Sequence, residues 1–258
     1  MGTTMFQAAP LSDRQSGALA IRRYASRALM GAAAAADVAD ALRTGLARQS
    51  EMRMIFAAAP SQSEMLEALC RLDGIDWHRV TAFHMDEYLG LPASAPQRFA
   101  AWLDAHLFRH LNFGAVHPIA PETDKGEGYA NLLAAAPIDI VCLGIGVNGH
   151  IAFNDPPVAD FNDPLDVKTV ELDAICRQQQ VDDGSFARLA AVPTHAITLT
   201  IPRLLRADRL FCVVPGAQKR QAVHDTLHGP ISLGCPASIL RTHPACVLYL
   251  DPESDPDA

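Results

Sequence analysis

His150 and Asp155 stand five positions apart in the stretch VCLGIGVNGHIAFNDP, residues 141–156. An imidazole gives and takes a proton near neutrality, so this pair has the residue types of a proton-transfer site. Gly144, Gly146 and Gly149 fall within six positions of the same stretch. An apolar run ends there, and the backbone must turn tightly or let another group approach. Asn148, His150, Asn154 and Asp155 therefore sit at the carboxyl end of an expected strand, where open α/β sheets place their ligand crevices. A decorated turn with a solvated histidine is the plainer reading, and the carboxylate five residues on counts against it.

Three other places carry candidate chemistry. Asp86 and Glu87 follow an apolar run directly, and strand alternation puts them on opposite faces. Ser61 and Ser63 lie between an expected strand and an expected helix, a plausible phosphate cradle, although helix N-capping explains them equally simply. Lys219 falls in the first turn of an expected helix, where the dipole disfavours a cation unless an anion is bound.

The elements that must position these residues alternate along the chain. Apolar, β-branched runs predict strands over 54–59, 80–85, 116–119, 138–143, 196–201, 210–214 and 245–250. Helical spacing predicts helices over 18–49 (with a break near Gly31), 64–72, 97–111, 126–136, 202–206 and 218–227. Residues 1–16 read as a loose arm, 156–166 as a surface loop, 174–189 as a mobile lid and 251–258 as an acidic tail. Strand–helix alternation implies an α/β, doubly wound, mainly parallel sheet with helices on both faces. No repeat and no linker divides the chain, so one domain over 1–258 is expected.

The 258 residues carry 49% hydrophobic and 19% charged side chains, which excludes wholesale disorder. A net charge of −8 argues against a nucleic-acid partner. The six cysteines are scattered without a CxxC pair, suggesting neither a zinc site nor a disulfide framework. No apolar run reaches the ~20 residues of a membrane span, and a cytoplasmic location is expected. Homo-oligomerisation is left open.

Two blocks together carry a family likeness: FHMDEYLGLP at 83–92 and LGIGVNGHIAFNDP at 143–156. With GAQK at 216–219 and SIL at 238–240, they resemble the glucosamine-6-phosphate deaminase (isomerase) family, which shares its fold with 6-phosphogluconolactonases. The resemblance implies a Rossmann-like fold, no metal, no organic cofactor and a small sugar-phosphate substrate. It implies ring opening by His150 with Asp155 orienting the imidazole, and transfer of the C2 proton to C1 by Asp86. Asn148 completes the candidate catalytic set. Ser61, Ser63, Glu87, Gly149, Lys219 and Arg177 are the candidate substrate- or phosphate-binding residues.

The chain departs from the family in four places. Ser61-Gln62-Ser63 replaces a Gly-Gly-Thr/Ser loop, Asn148 stands where Asp is common, and Asp155 where Glu is. Arg177 is the nearest match to an arginine that clamps phosphate. A lactonase, an isomerase that does not deaminate, and a non-catalytic sugar-phosphate sensor are the alternatives. Ala-Phe-Asn at 152–154 counts against the lactonase, and the lack of a basic helix-turn-helix in the first fifty residues counts against the sensor.

Overall fold

The computed structural model describes residues 9–124 and 126–258. In chain order the elements are β1 (Ser12–Ser16), β2 (Leu19–Arg23), α1 (Arg27–Leu46), β3 (Met52–Phe56), α2 (Ser63–Cys70), β4 (Val80–His84), β5 (Asp86–Tyr88), α3 (Phe99–His106), β6 (Ala115–His117), α4 (Pro121–Asp124), α5 (Glu127–Ala134), β7 (Ile140–Leu143), β8 (Val167–Glu171), α6 (Ala174–Asp182), β9 (His195–Leu199), α7 (Ile201–Leu205), β10 (Arg209–Val214), α8 (Arg220–His228) and β11 (Cys246–Leu250). Eight strands form one sheet in the order β1-β2-β11-β10-β7-β3-β4-β6. Every neighbouring pair from β2 to β6 is parallel, and β1 joins antiparallel at one edge. The chain builds outward from β3 through β4 to β6, then returns to β7 and builds the other way. The reversal falls between β3 and β7, where Ala57 N–H donates to the Cys142 carbonyl at 2.9 Å.

Strand alternation divides the core between the two faces of this sheet. Met54, Phe56, Cys142, Phe211, Val213 and Tyr249 pack with α1, α2 and α3. Ile55, Val141, Leu143, Leu210, Cys212 and Leu248 pack with α5 and α8. The expected doubly wound, mainly parallel architecture is therefore present.

Several local expectations are corrected. The first part of the expected helix over 18–49 is the strand β2, and α1 runs unbroken through Gly31. The glycine is there for close approach: a Cβ on it would sit 2.6 Å from Glu64 Cβ and 2.8 Å from the Glu64 backbone carbon. Alanine at 31 would recover about 1 kcal/mol of helix propensity. It would also force α1 and α2 apart, at about 1–3 kcal/mol. Gly31→Ala is thus expected to lose about 1 kcal/mol net, seen as a Tm lower by about 2–4 °C. A Tm at or above wild type would mean that α2 can slide back without cost.

Residues 12–16 are not a loose arm but the edge strand β1; residues 1–8 lie outside the described part. The segment 251–258 is not a free tail. Asp251 accepts hydrogen bonds from the backbone N–H of Gly216 (3.1 Å) and Ser254 (2.8 Å). Asp255 pairs with Arg14 and, at 3.6 Å, with Arg23. The lid expected over 174–189 begins as α6, anchored by fully buried Cys176 and by Gln179 and Gln180. Sequence alone also missed β8, which forms a separate antiparallel sheet with β9 and β5 in the order β5-β9-β8. No helix among the described residues is long and apolar enough to cross a membrane.

Candidate active site

A cavity of about 310 Å³ opens at the carboxyl ends of β3, β4, β7 and β10. It lies at the reversal point of the sheet, where the loops leaving neighbouring strands diverge. Residues 57–62 after β3, Met85 and Asp86 after β4, the turn after β7, and Lys219 after β10 line it, and α6 closes one side.

Asp86 is the first residue of β5, and its carboxyl faces this cavity. Burial, reinforced by the negative charges of Glu87 and Asp155, pushes it well above the usual carboxylate range. Glu87 points the other way, as alternation requires, and does not line this cavity. Its carboxylate is fully buried and caps the start of α3 by accepting from the N–H groups of Phe99 (3.1 Å) and Ala100 (3.0 Å). Arg98 approaches it at 3.4 Å. Burial pushes this carboxyl up as well, and the N–H groups and Arg98 offset only part of the rise.

His150 is held by the turn after β7. Its Nδ1 lies 2.7 Å from Asp155 Oδ1. The ring lies across Gly146, where any Cβ would come within 2.2 Å of it. Asn154 knits the turn to the small sheet, its amide donating to the carbonyls of Ile151 (2.9 Å) and Leu199 (2.8 Å). Ala152 takes a positive φ of 49° inside this turn, an uncommon conformation for a residue with a side chain.

Asp155 is completely buried, and burial alone would raise its carboxyl. Hydrogen bonds from His150, Asn148 and Cys176 together with the imidazole charge outweigh that and hold it below the usual range. His150, Asp155 and Cys176 offer ligand atoms within 4.8 Å of one another, a donor set that a soft divalent ion could use. Burial and the neighbouring Asp155 carboxylate keep Cys176 a thiol, so that thiol and the His150 imidazole flank the Asp155 carboxylate.

Asn148 is a structural donor behind His150 and does not line the cavity. Its Nδ2 donates to Asp155 at 2.9 Å and to Asp173 at 3.4 Å, while its Oδ1 accepts from the His150 N–H at 3.1 Å. Asn148→Asp would replace that donor by a third carboxylate beside two others. Because Asn148 is only half-buried, the expected cost is near the low end, about 1 kcal/mol. A Tm lower by about 2–4 °C, with a lower kcat, would show it. A variant unchanged in both would remove Asn148 from the support of His150.

The phosphate candidates divide. Ser61 lines the cavity and Ser63 does not. The chain winds helically from Pro60, so residues two apart point to roughly opposite sides. Arg177 is spent on structure, its Nη2 donating to the carbonyls of Leu189 (3.0 Å) and Val192 (2.9 Å). Gly149 lies behind the wall, accepting from Ala237 N–H at 2.8 Å. Lys219 is buried and reaches the cavity with no ion-pair partner within 4 Å among the described residues. Loss of water pulls its ammonium down to about 8, with Asp183 opposing the change. Sequence reasoning missed Gln62, Gln179, Gln180 and Asp183, which also line the cavity. Gln179, Gln180 and Asp183 lie in the run RQQQVDDGS of the segment expected to be a mobile lid, and the seating of α6 against the turn buries the two glutamines.

Residues 25–248 match the family of glucosamine-6-phosphate isomerases and 6-phosphogluconolactonases. The chain belongs to that family. It is 34% identical over 223 residues to a glucosamine-6-phosphate deaminase of Bacillus cereus strain G9842, covering 85% of this chain and 83% of that one. A glucosamine-6-phosphate deaminase of Exiguobacterium sibiricum is 35% identical over 188 residues, covering 71% and 73% respectively. Among solved structures, a monomeric glucosamine-6-phosphate deaminase superposes with a TM-score of 0.82 at 25% identity, over 91% of this chain and 98% of that one. A 6-phosphogluconolactonase from Thermotoga maritima superposes with a TM-score of 0.74 at 17% identity, over 90% and 99%, a likeness of fold alone. In this family member the two sequence blocks that carry the resemblance meet at one cavity, Asp86 from the first and His150 from the second.

Proposed function

We propose that the protein is an enzyme that converts an amino-sugar phosphate of the glucosamine 6-phosphate type into the ketose phosphate and ammonia. One observation carries the reading: a carboxyl held above its ordinary range and an imidazole backed by a buried carboxylate face the same cavity. His150 opens the pyranose by exchanging a proton with the ring oxygen, and Asp155 fixes the tautomer and stabilises the imidazolium. Asp86 then takes the proton from C2 and returns it at C1. Its raised affinity for a proton makes it a stronger base than an exposed aspartate, and burial supplies the fixed geometry. Proton delivery to C1 leaves an imine at C2, and water adds to that carbon, so that ammonia departs and the ketone oxygen comes from the water.

Lys219 and Ser61 hold the phosphate end. The chemistry described uses side chains of this chain and one water molecule. A location in the cytoplasm and a small-molecule partner follow from this reading. The test is an ammonia-release assay on glucosamine 6-phosphate with ketose phosphate measured in parallel, both appearing in equal amounts. Ketose without ammonia would indicate a non-deaminating isomerase, and hydrolysis of 6-phosphogluconolactone alone would indicate a lactonase.

A further inference from the structure

Most polar side chains of the cavity wall already have a task. On the deaminase reading Asp86 and His150 move protons, while Lys219 and Ser61 hold the phosphate. Gln179 is spent between the Val147 N–H (2.9 Å) and Asp183 (3.2 Å), and Gln62 turns its amide to the Val213 carbonyl at 3.1 Å. Gln180 is different. It is 7% exposed, and its Oε1 accepts from the Tyr88 hydroxyl at 2.7 Å. Tyr88 is buried behind the wall and does not line the cavity. Burial pushes its ionisation well above the ordinary phenol range, so the hydroxyl keeps its proton and must donate it. Gln180 Oε1 is the acceptor among the described residues, which turns the amide carbonyl toward Tyr88 and the NH₂ away from it. That Nε2 has no hydrogen-bond partner among the described residues, yet it is not one of their sealed, unpaired polar atoms. An oriented donor without a partner therefore opens on the cavity that Gln180 lines.

The surroundings of this donor suit the sugar better than the phosphate. Tyr88 stands two positions after Asp86 on β5, so the two side chains leave the strand on the same side. The Tyr88 ring packs on Phe99 and Phe153, with centroids 4.8 and 5.5 Å away, and both of those rings line the cavity with Trp102. Aromatic faces carry negative potential, which favours C–H groups over an anion. Resting on the deaminase reading for the substrate, we infer that Gln180 binds a hydroxyl oxygen of the amino sugar, and that Tyr88 is the positioning residue that turns its amide to donate. Held there, the sugar presents its carbon chain on the side of Asp86 while Lys219 holds the phosphate.

The probes are 2-amino-2-deoxyglucitol 6-phosphate, which has no ring to open and no C1 carbonyl to form, and inorganic phosphate, which has no sugar. Gln180→Met keeps the length of the side chain and removes the amide. Calorimetry is expected to show the amino-alditol phosphate weakened by about five- to tenfold in this variant, the worth of one neutral hydrogen bond. Binding of inorganic phosphate should be unchanged. Tyr88→Phe keeps the ring packing and frees the amide to turn, so it should weaken the amino-alditol phosphate by about threefold. In the Gln180→Met background it should weaken it no further, because no amide is left to orient. The double variant leaves no buried hydroxyl unpaired, so it carries the test if Gln180→Met alone does not fold. An amino-alditol phosphate bound equally well by the wild type and the double variant would overturn the inference. Equal losses for the two probes would overturn it too, by moving Gln180 to the phosphate. A Tyr88→Phe loss that persists in full beside Gln180→Met would overturn the positioning role and make Tyr88 a packing residue. Failure of the deaminase reading is seen separately, as no ammonia from glucosamine 6-phosphate with the wild type.

Discussion

Asp86→Asn is expected to lower kcat by about 10²–10⁴-fold, the usual contribution of a positioned general base. Exchange of the substrate's C2 proton with solvent should disappear with it. Binding should stay within about tenfold, or ~1.4 kcal/mol, because the amide keeps the shape of the carboxyl and loses only its basicity. The same variant should be more stable than wild type at neutral pH. Burial, then the charges of Glu87 and Asp155, put the folded-state affinity of Asp86 for a proton above its unfolded value. Stability from such a group is fully present below its unfolded pKa of about 4 and is lost as pH rises through the folded pKa. Asparagine never ionises, so Asp86→Asn should melt higher at pH 7, with the difference closing toward pH 3. Retained C2 exchange in this variant would place the base elsewhere. A lower Tm at pH 7 would mean that the carboxylate supports the fold.

The second large effect is expected at Lys219. A charge-assisted hydrogen bond to an anion is worth about 1.5–3 kcal/mol, so Lys219→Ala should weaken a phosphorylated ligand by about 10–150-fold. The unphosphorylated sugar should lose little. Lys219 has been pulled down to about 8, so the wild-type affinity for the anionic ligand should fall as pH rises through that value. The alanine variant should not show that fall. Calorimetric titrations at pH 7 and pH 9, with and without the phosphate on the ligand, read both effects. Equal losses for the two ligands would make Lys219 a packing residue and move the anion site.

Glu87 shows why neighbouring sequence positions with the same chemistry need not share a role. Alternation said that Asp86 and Glu87 face opposite ways, but could not say which of the two faces a cavity. The answer depends on the start of α3, whose free N–H groups at Phe99 and Ala100 take the Glu87 carboxylate and so leave Asp86 to the crevice. Arg177 and Ser63 show the complementary limit. Both residue types suit a phosphate, yet Arg177 is consumed by two carbonyls of its own loop and Ser63 is turned away by the helical winding after Pro60.

By itself the sequence determined the parallel α/β sheet, because buried strands must be continuous apolar runs and their crossovers must be amphipathic helices. It also marked the turn of residues 144–155, because a ring lying on the backbone at Gly146 leaves no room for a side chain there. The tertiary structure alone decided which helix covers the crevice, that Asp183 shares the cavity with Lys219, and that Gln62, Gln179 and Gln180 are buried in its wall. These residues come from segments far apart in the chain, and locally they read as parts of a mobile lid, a cap and a helix start. The docking of α6 against the turn after β7 takes Gln179 and Gln180 out of water and brings Asp183 to the cavity, while Gln62 is buried separately against the Val213 carbonyl of β10.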